Sequence, residues 1–234
     1  MAIAYSGNTG KNFATSGTIV VTVTVNVGDT VIVTVGLNAG GTRTVSAVDS
    51  SGVNTYATKS NQANGVGCQS FVLGSLNVSN SATTVTVTVA GGVYTLCDVC
   101  VATYTGVGTN GFGNTGVNTG SSTTLTVVAT TQDTNNFIVA ALTQATGAAP
   151  TFTASVGNLR NQQAGGASNG VAINDNTAAS ATSVTNTVTS NKNAGWACCA
   201  VELRSTNSSI FQPDEDFGPS LMLCGSDPII TIWQ

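Results

Sequence analysis

The chain of 234 residues contains no histidine. That removes the commonest general base, the commonest zinc ligand and the usual partner of a nucleophilic Ser or Cys. Charge is scarce as well: 7% of residues are Asp, Glu, Lys or Arg, against about 25% in ordinary soluble domains. Six scattered basic residues cannot neutralise a phosphate track, so nucleic acid is not an expected partner. No apolar run reaches the roughly 18 residues of a membrane-spanning helix, and no membrane partner is expected. The opening stretch MAIAYSGNTGKNF has no charged segment followed by an apolar one and does not read as a secretory signal. With a formal net charge of −4, copies of the chain can pack closely at little electrostatic cost.

What is present is alternation. In TIVVTVTVNV, Val21, Val23, Val25 and Val27 share one face while Thr22, Thr24 and Asn26 share the other; TTVTVTVAGG repeats the pattern with Val85, Val87 and Val89. Period two with β-branched residues is the half-buried strand pattern. TVIVTVGL and NFIVAALT are continuously apolar and fit central strands covered on both faces. Gly28-Asp29, Asn64-Gly65, Asn110-Gly111 and Asn169-Gly170 supply turn chemistry. Strands are expected over 2–5, 17–26, 30–37, 43–48, 54–59, 67–75, 83–89, 95–105, 122–129, 136–143, 151–155, 169–174, 182–188, 195–204 and 229–233, with almost no helix. The fold class is therefore all-β, an antiparallel, jelly-roll-like β-sandwich over 1–204 with an extended C-terminal arm over 205–234. TTVTVTVAGGVYTLCDVCVATY and TSVTNTVTSNKNAGWACCAVEL echo each other. Like hairpins within one sandwich are the favoured reading of that echo, with duplication the other.

The stretch TVTVNVGDTVIVTVGLNAGGTRTVSAVDSSGVNTYATKS resembles the opening of a Thr/Val/Gly-rich β-sandwich module of bacterial surface proteins and phage tail and capsid proteins. The likeness is carried by the VGDT turn and by Val45, Val48, Asp49, Gly52, Asn54 and Tyr56, and further on by CVATYTGV and GWACCAVEL, over about residues 15–204. It implies the sandwich fold and an extracellular or virion setting, and it brings no catalytic site.

Chemistry-bearing candidates are few. Cys97 and Cys100 form a CxxC, but on a strand an offset of three sends the thiols to opposite faces, which favours core filling over metal or redox work. Cys198 and Cys199 are adjacent and likewise face opposite ways. With Cys68 and Cys224 the total is six, so disulfides stay open beside the reading of Cys as a small core hydrophobe. Asp214, Glu215 and Asp216 concentrate acid but lack the spacing of a calcium loop. Asp98, Asp133, Asp175 and Glu202 are the carboxylates from which a glycosidase pair would have to come. No catalytic, cofactor or metal residue is assigned, and the protein is read as a non-enzyme.

The last thirty residues differ from the rest. They hold three of the four prolines and four of the ten acids, and no Lys or Arg after Arg204. Pro213, Pro219 and Pro228 forbid a helix through the segment. Phe211, Phe217, Leu221, Met222, Leu223, Ile229, Ile230, Ile232 and Trp233 are too apolar to be left in water and form the expected partner-binding set. The expectation is a non-enzymatic virion structural protein: a bacteriophage capsid decoration (cement) protein or a head or tail fibre component. It would be made in the host cytoplasm and released by lysis. Its expected partners are itself, as a homo-oligomer such as a trimer, the major capsid protein or another virion protein, and host-surface glycans. The alternative is a secreted bacterial adhesin or carbohydrate-binding module.

Overall fold

The computed structural model describes residues 2–39, 41–65, 67–166, 168–177 and 180–205. The described residues contain no helix and form antiparallel strands: β1 (Ala4–Ala14), β2 (Thr18–Val25), β3 (Thr30–Asn38), β4 (Thr44–Asp49), β5 (Ala57–Ala63), β6 (Cys68–Ser75), β7 (Ala82–Ala90), β8 (Leu96–Thr105), β9 (Val107–Thr130), β10 (Phe137–Ala145), β11 (Phe152–Val156), β12 (Asn158–Gln163), β13 (Asn169–Thr177) and β14 (Ser183–Ser205). Alternation sets the burial of β2: Ile19, Val21, Val23 and Val25 point inward while Thr18, Val20, Thr22 and Thr24 face solvent. The continuously apolar β3 and β10 are buried on both faces.

The first eight strands make two facing sheets, ordered β1-β8-β3-β6-β5 and β2-β7-β4. The pairs β1–β8, β2–β7 and β3–β6 nest inside one another, as in a long hairpin rolled up on itself. This is the jelly-roll arrangement, and the all-β, antiparallel sandwich class holds, although the span 1–204 contains two such units where one sandwich was expected. The remaining strands repeat it. Two of them, β9 and β14, are long and pair with each other along their length, with a register break between Thr189 and Ala194. Residues 107–122 of β9 and 194–205 of β14 join β10, β13 and β12 in an order matching β1-β8-β3-β6-β5. Residues 124–130 of β9 and 183–189 of β14 join β11 in an order matching β2-β7-β4. The molecule is thus two jelly-roll units in sequence, stacked as four layers. The two echoing segments are equivalent parts of the two units: β7–β8 in the first and β14 in the second.

Details repeat as well. GNTG followed by one residue and Asn occurs at Gly7–Asn12 and at Gly113–Asn118. Asn12 Nδ2 donates to the Val20 carbonyl at 2.7 Å, and Asn118 Nδ2 donates to the Thr126 carbonyl at 3.0 Å. A Cβ on Gly10 would lie 2.2 Å from the Thr22 oxygen, and one on Gly116 would lie 2.0 Å from the Val128 oxygen. Both glycines let the first strand of a unit cross closely over the second.

Three cores lie between the four layers. Val21, Val35, Leu73, Val85 and Val99 fill the first unit, and Leu125, Leu142, Phe152, Val188 and Trp196 fill the second. Between the units, Ile32, Val72, Cys100, Tyr104, Val139, Ile173, Cys199 and Leu203 form a seam. Contacts across the seam are reciprocal: β1 meets β12 as β9 meets β5, β8 meets β13 as β14 meets β6, and β3 meets β10. Reciprocity of this kind marks a two-fold, isologous interface, here within one chain. The hydrogen bonds obey it: Cys68 Sγ donates to the Thr143 carbonyl at 3.4 Å, and Asn169 Nδ2 donates to the Gly36 carbonyl at 2.9 Å.

Candidate functional site

The nine apolar residues expected to bind partners, Phe211, Phe217, Leu221, Met222, Leu223, Ile229, Ile230, Ile232 and Trp233, lie outside the described residues. So do the acid cluster at Asp214–Asp216, the strand expected at 229–233, and Cys224.

The other five cysteines are free and buried. Cys97 belongs to the core of the first unit and Cys100 to the seam; Cys198 belongs to the core of the second unit and Cys199 to the seam. Opposite faces were expected for both pairs, and they are found. Burial pushes the Cys68 and Cys199 thiols up to about 12, and it raises Cys97, Cys100 and Cys198 further, which suits inert core residues. Among the described residues no three Cys, Asp or Glu side chains cluster in a way that could hold a metal ion.

The carboxylates are engaged by protein donors, each in its own place. Glu202 accepts from Gln132 N at 2.6 Å, Asn136 Nδ2 at 2.7 Å and Asn114 N at 3.0 Å, tying together the strands around the β9–β10 turn. Asp98, in the seam, accepts from Gly165 N at 2.6 Å and Asn169 Nδ2 at 3.0 Å. Among the described residues no cation pairs with it, and burial raises its carboxyl to about 7 despite those two donors. Asp133 pairs with Arg204 at 3.6 Å near the surface. Asp175 accepts from Arg160 Nε at 2.6 Å and Tyr104 Oη at 3.0 Å. Glycosidase chemistry would need two of these facing one cleft. Instead, Asp98 and Asp175 bind near opposite ends of β13, and Glu202 lies on the other face of that sheet from Asp175.

The residues that carry the resemblance form a cluster of their own. Asp49 ends β4, and its carboxylate accepts from Ser51 Oγ at 2.5 Å, Asn54 Nδ2 at 2.6 Å and Tyr56 Oη at 3.1 Å, while Gly52 takes a positive φ of 70° in the turn between them. Burial pushes the Asp49 carboxyl up, but the bonds from Ser51, Asn54 and Tyr56 outweigh it and hold the carboxyl below the usual range. The motif is a turn lock.

Two surface features stand out. The first is the pair of outer faces. The three-stranded sheets at the two ends of the stack expose Thr18, Val20, Thr22, Thr88, Ser46 and Val48 on one side and Thr124, Val128, Thr130, Thr153 and Thr189 on the other. The single charged residue in those strands, Asp49, is turned inward. The second is a matched pair of cations at the seam. Lys59 and Arg160 are the bulged residues of β5 and β12, at the same position in each unit. Each crosses the seam to a ring on the first strand of the other unit: Lys59 Nζ sits 4.1 Å from the Phe112 centroid, and Arg160 Cζ sits 4.5 Å from that of Tyr5. Neither feature was read from the sequence. In sequence, Lys59 and Arg160 share little beyond their charge and the Asn and Gln residues that follow them in an edge strand. The threonines were read as the wet face of half-buried strands, but not as two opposed outer sheets.

The chain matches no family model, no curated protein and no solved structure.

Proposed function

We propose that this chain is a non-enzymatic structural protein of a virion: a bacteriophage capsid decoration (cement) protein or a head or tail fibre component. It works by packing against other copies and a neighbouring virion protein, through its outer sheets and the apolar residues beyond Arg204. The observation that supports the reading is the pair of outer faces. A threonine-rich sheet face without exposed charge stays hydrated when alone, yet loses little when a similar surface covers it, since no ion must be desolvated. A four-layer stack presents two such faces in opposite directions, which suits a part that joins neighbours on both sides.

The test is the distribution of the protein in its native source. Particles purified by density gradient are expected to carry the protein, and the full chain with Thr22→Glu and Thr86→Glu is expected to bind them at least tenfold more weakly while its melting temperature stays within a few degrees. Absence from particle fractions together with retention on a glycan resin would replace the proposal with the adhesin or carbohydrate-binding reading.

A further inference from the structure

The two seam cations differ in one respect. Arg160 has a carboxylate: Asp175 of β13 lies at 2.6 Å. The residue at the same position of the first unit is Gly74, since Gly74 pairs with Ile32 and Ala57 as Asp175 pairs with Val139 and Asn158. A Cβ on Gly74 would lie 2.5 Å from Phe112 Cζ, so the ring occupies the space where a side chain would begin. Among the described residues, no carboxylate lies within ion-pair distance of Lys59. The nearby Asp49 is taken up by Ser51, Asn54 and Tyr56.

Beside Lys59 the surface is open. A groove of about 400 Å³ is lined by Val53, Asn54, Lys59, Leu76, Val78 and Phe112. One wall continues to the end of the described chain: Phe112 pairs with Leu203, and Val107 pairs with Ser205. The next carboxylates in sequence are Asp214, Glu215 and Asp216, flanked by Phe211 and Phe217. Nine residues, 206–214, span up to about 30 Å when extended, enough to reach across the seam from Ser205.

We propose that this groove takes the chain's own acidic segment, with Asp214, Glu215 or Asp216 supplying Lys59 with the carboxylate that Asp175 supplies to Arg160. The flanking phenylalanines match the apolar wall of Val53, Leu76, Val78 and Phe112. The segment is thereby anchored to the first unit, whatever neighbour the protein meets. The anchor does not depend on what that neighbour is: loss of particle binding with the anchor intact would sink the virion reading alone.

Zero-length carbodiimide coupling of the full chain, run as a mixture of light and nitrogen-15-labelled protein, tests the proposal. Peptide mapping is expected to join Lys59 to one of Asp214, Glu215 and Asp216 within single chains. In the Asp214→Asn, Glu215→Gln, Asp216→Asn variant, pulsed acetylation of Lys59 is expected to run at least threefold faster, with the exposed Lys11 unchanged. Cross-links found only between light and heavy chains would overturn the proposal and give the groove to a second copy. An unchanged Lys59 acetylation rate would overturn it outright.

Discussion

The two jelly-roll units share a topology and differ in their polar chemistry. The core of the first unit is mostly valine, with Leu37, Leu73, Phe71, Tyr56 and Tyr94 among it, while that of the second is built around Trp196, Phe152, Leu125 and Leu142. At one seam position the first unit has the buried carboxylate Asp98 and the second has Ala197; at another the first has Gly74 and the second has Asp175. What stays constant is the alternation, the bulges at Lys59 and Arg160, and the close-approach glycines Gly10 and Gly116. Backbone geometry therefore fixes this architecture, and buried ionic groups are local additions that one unit can lack.

The largest expected effect comes from prying the units apart. A Cβ on Gly36 would lie 2.8 Å from Thr143 Cγ2 and 2.9 Å from Val171 Cβ, so β3 approaches β10 closely only because this residue is glycine. Gly36→Val is expected to lose about 3 kcal/mol by overpacking, read as a fall in the urea midpoint at constant slope. A loss below 1 kcal/mol would mean that the seam yields easily.

Next comes the comparison of the cations. Arg160→Ala leaves Asp175 buried without its ion partner and is expected to cost about 2–3 kcal/mol, below the full buried-pair figure because the Arg160 side chain is 24% exposed. Lys59→Ala removes an aromatic contact and no buried charge, and should cost below about 1 kcal/mol. Equal losses would erase the distinction drawn between the two sites.

Asp98 gives a smaller, pH-dependent effect. Unfolded, its carboxyl ionises near 3.8; folded, burial raises that to about 7. Between those values the unfolded chain has given up a proton that the folded chain keeps. Stability therefore falls as pH rises from about 4 to about 7 and then levels off. Asp98→Asn should flatten that slope, as measured by urea unfolding across the range. A slope unchanged by the substitution would assign it to other groups.

Much of the fold was legible because alternation survives in a single sequence. The strands expected at 17–26, 30–37 and 83–89 match β2, β3 and β7 closely. The misses share a cause. The greater part of β1, the first half of β9 and all of β12 are edge strands of Gly, Asn, Thr and Gln, which read as loop because their pairing comes from a neighbour and not from an apolar face. The doubling was visible in the repeated GNTG motif, but those same loop-like residues hid it. The seam cations were illegible, since a bulge in one unit and an aromatic ring in the other meet only after folding.

Hydrogen exchange followed strand by strand on the intact chain tests the central claim that two equivalent units share one reciprocal seam. If they do, β3, β8, β10 and residues 197–203 of β14 exchange last and at one common rate, since opening either unit strips the seam face of the other. If every strand of one unit exchanges at least tenfold faster than the strands of the other, the units open independently and the account is wrong.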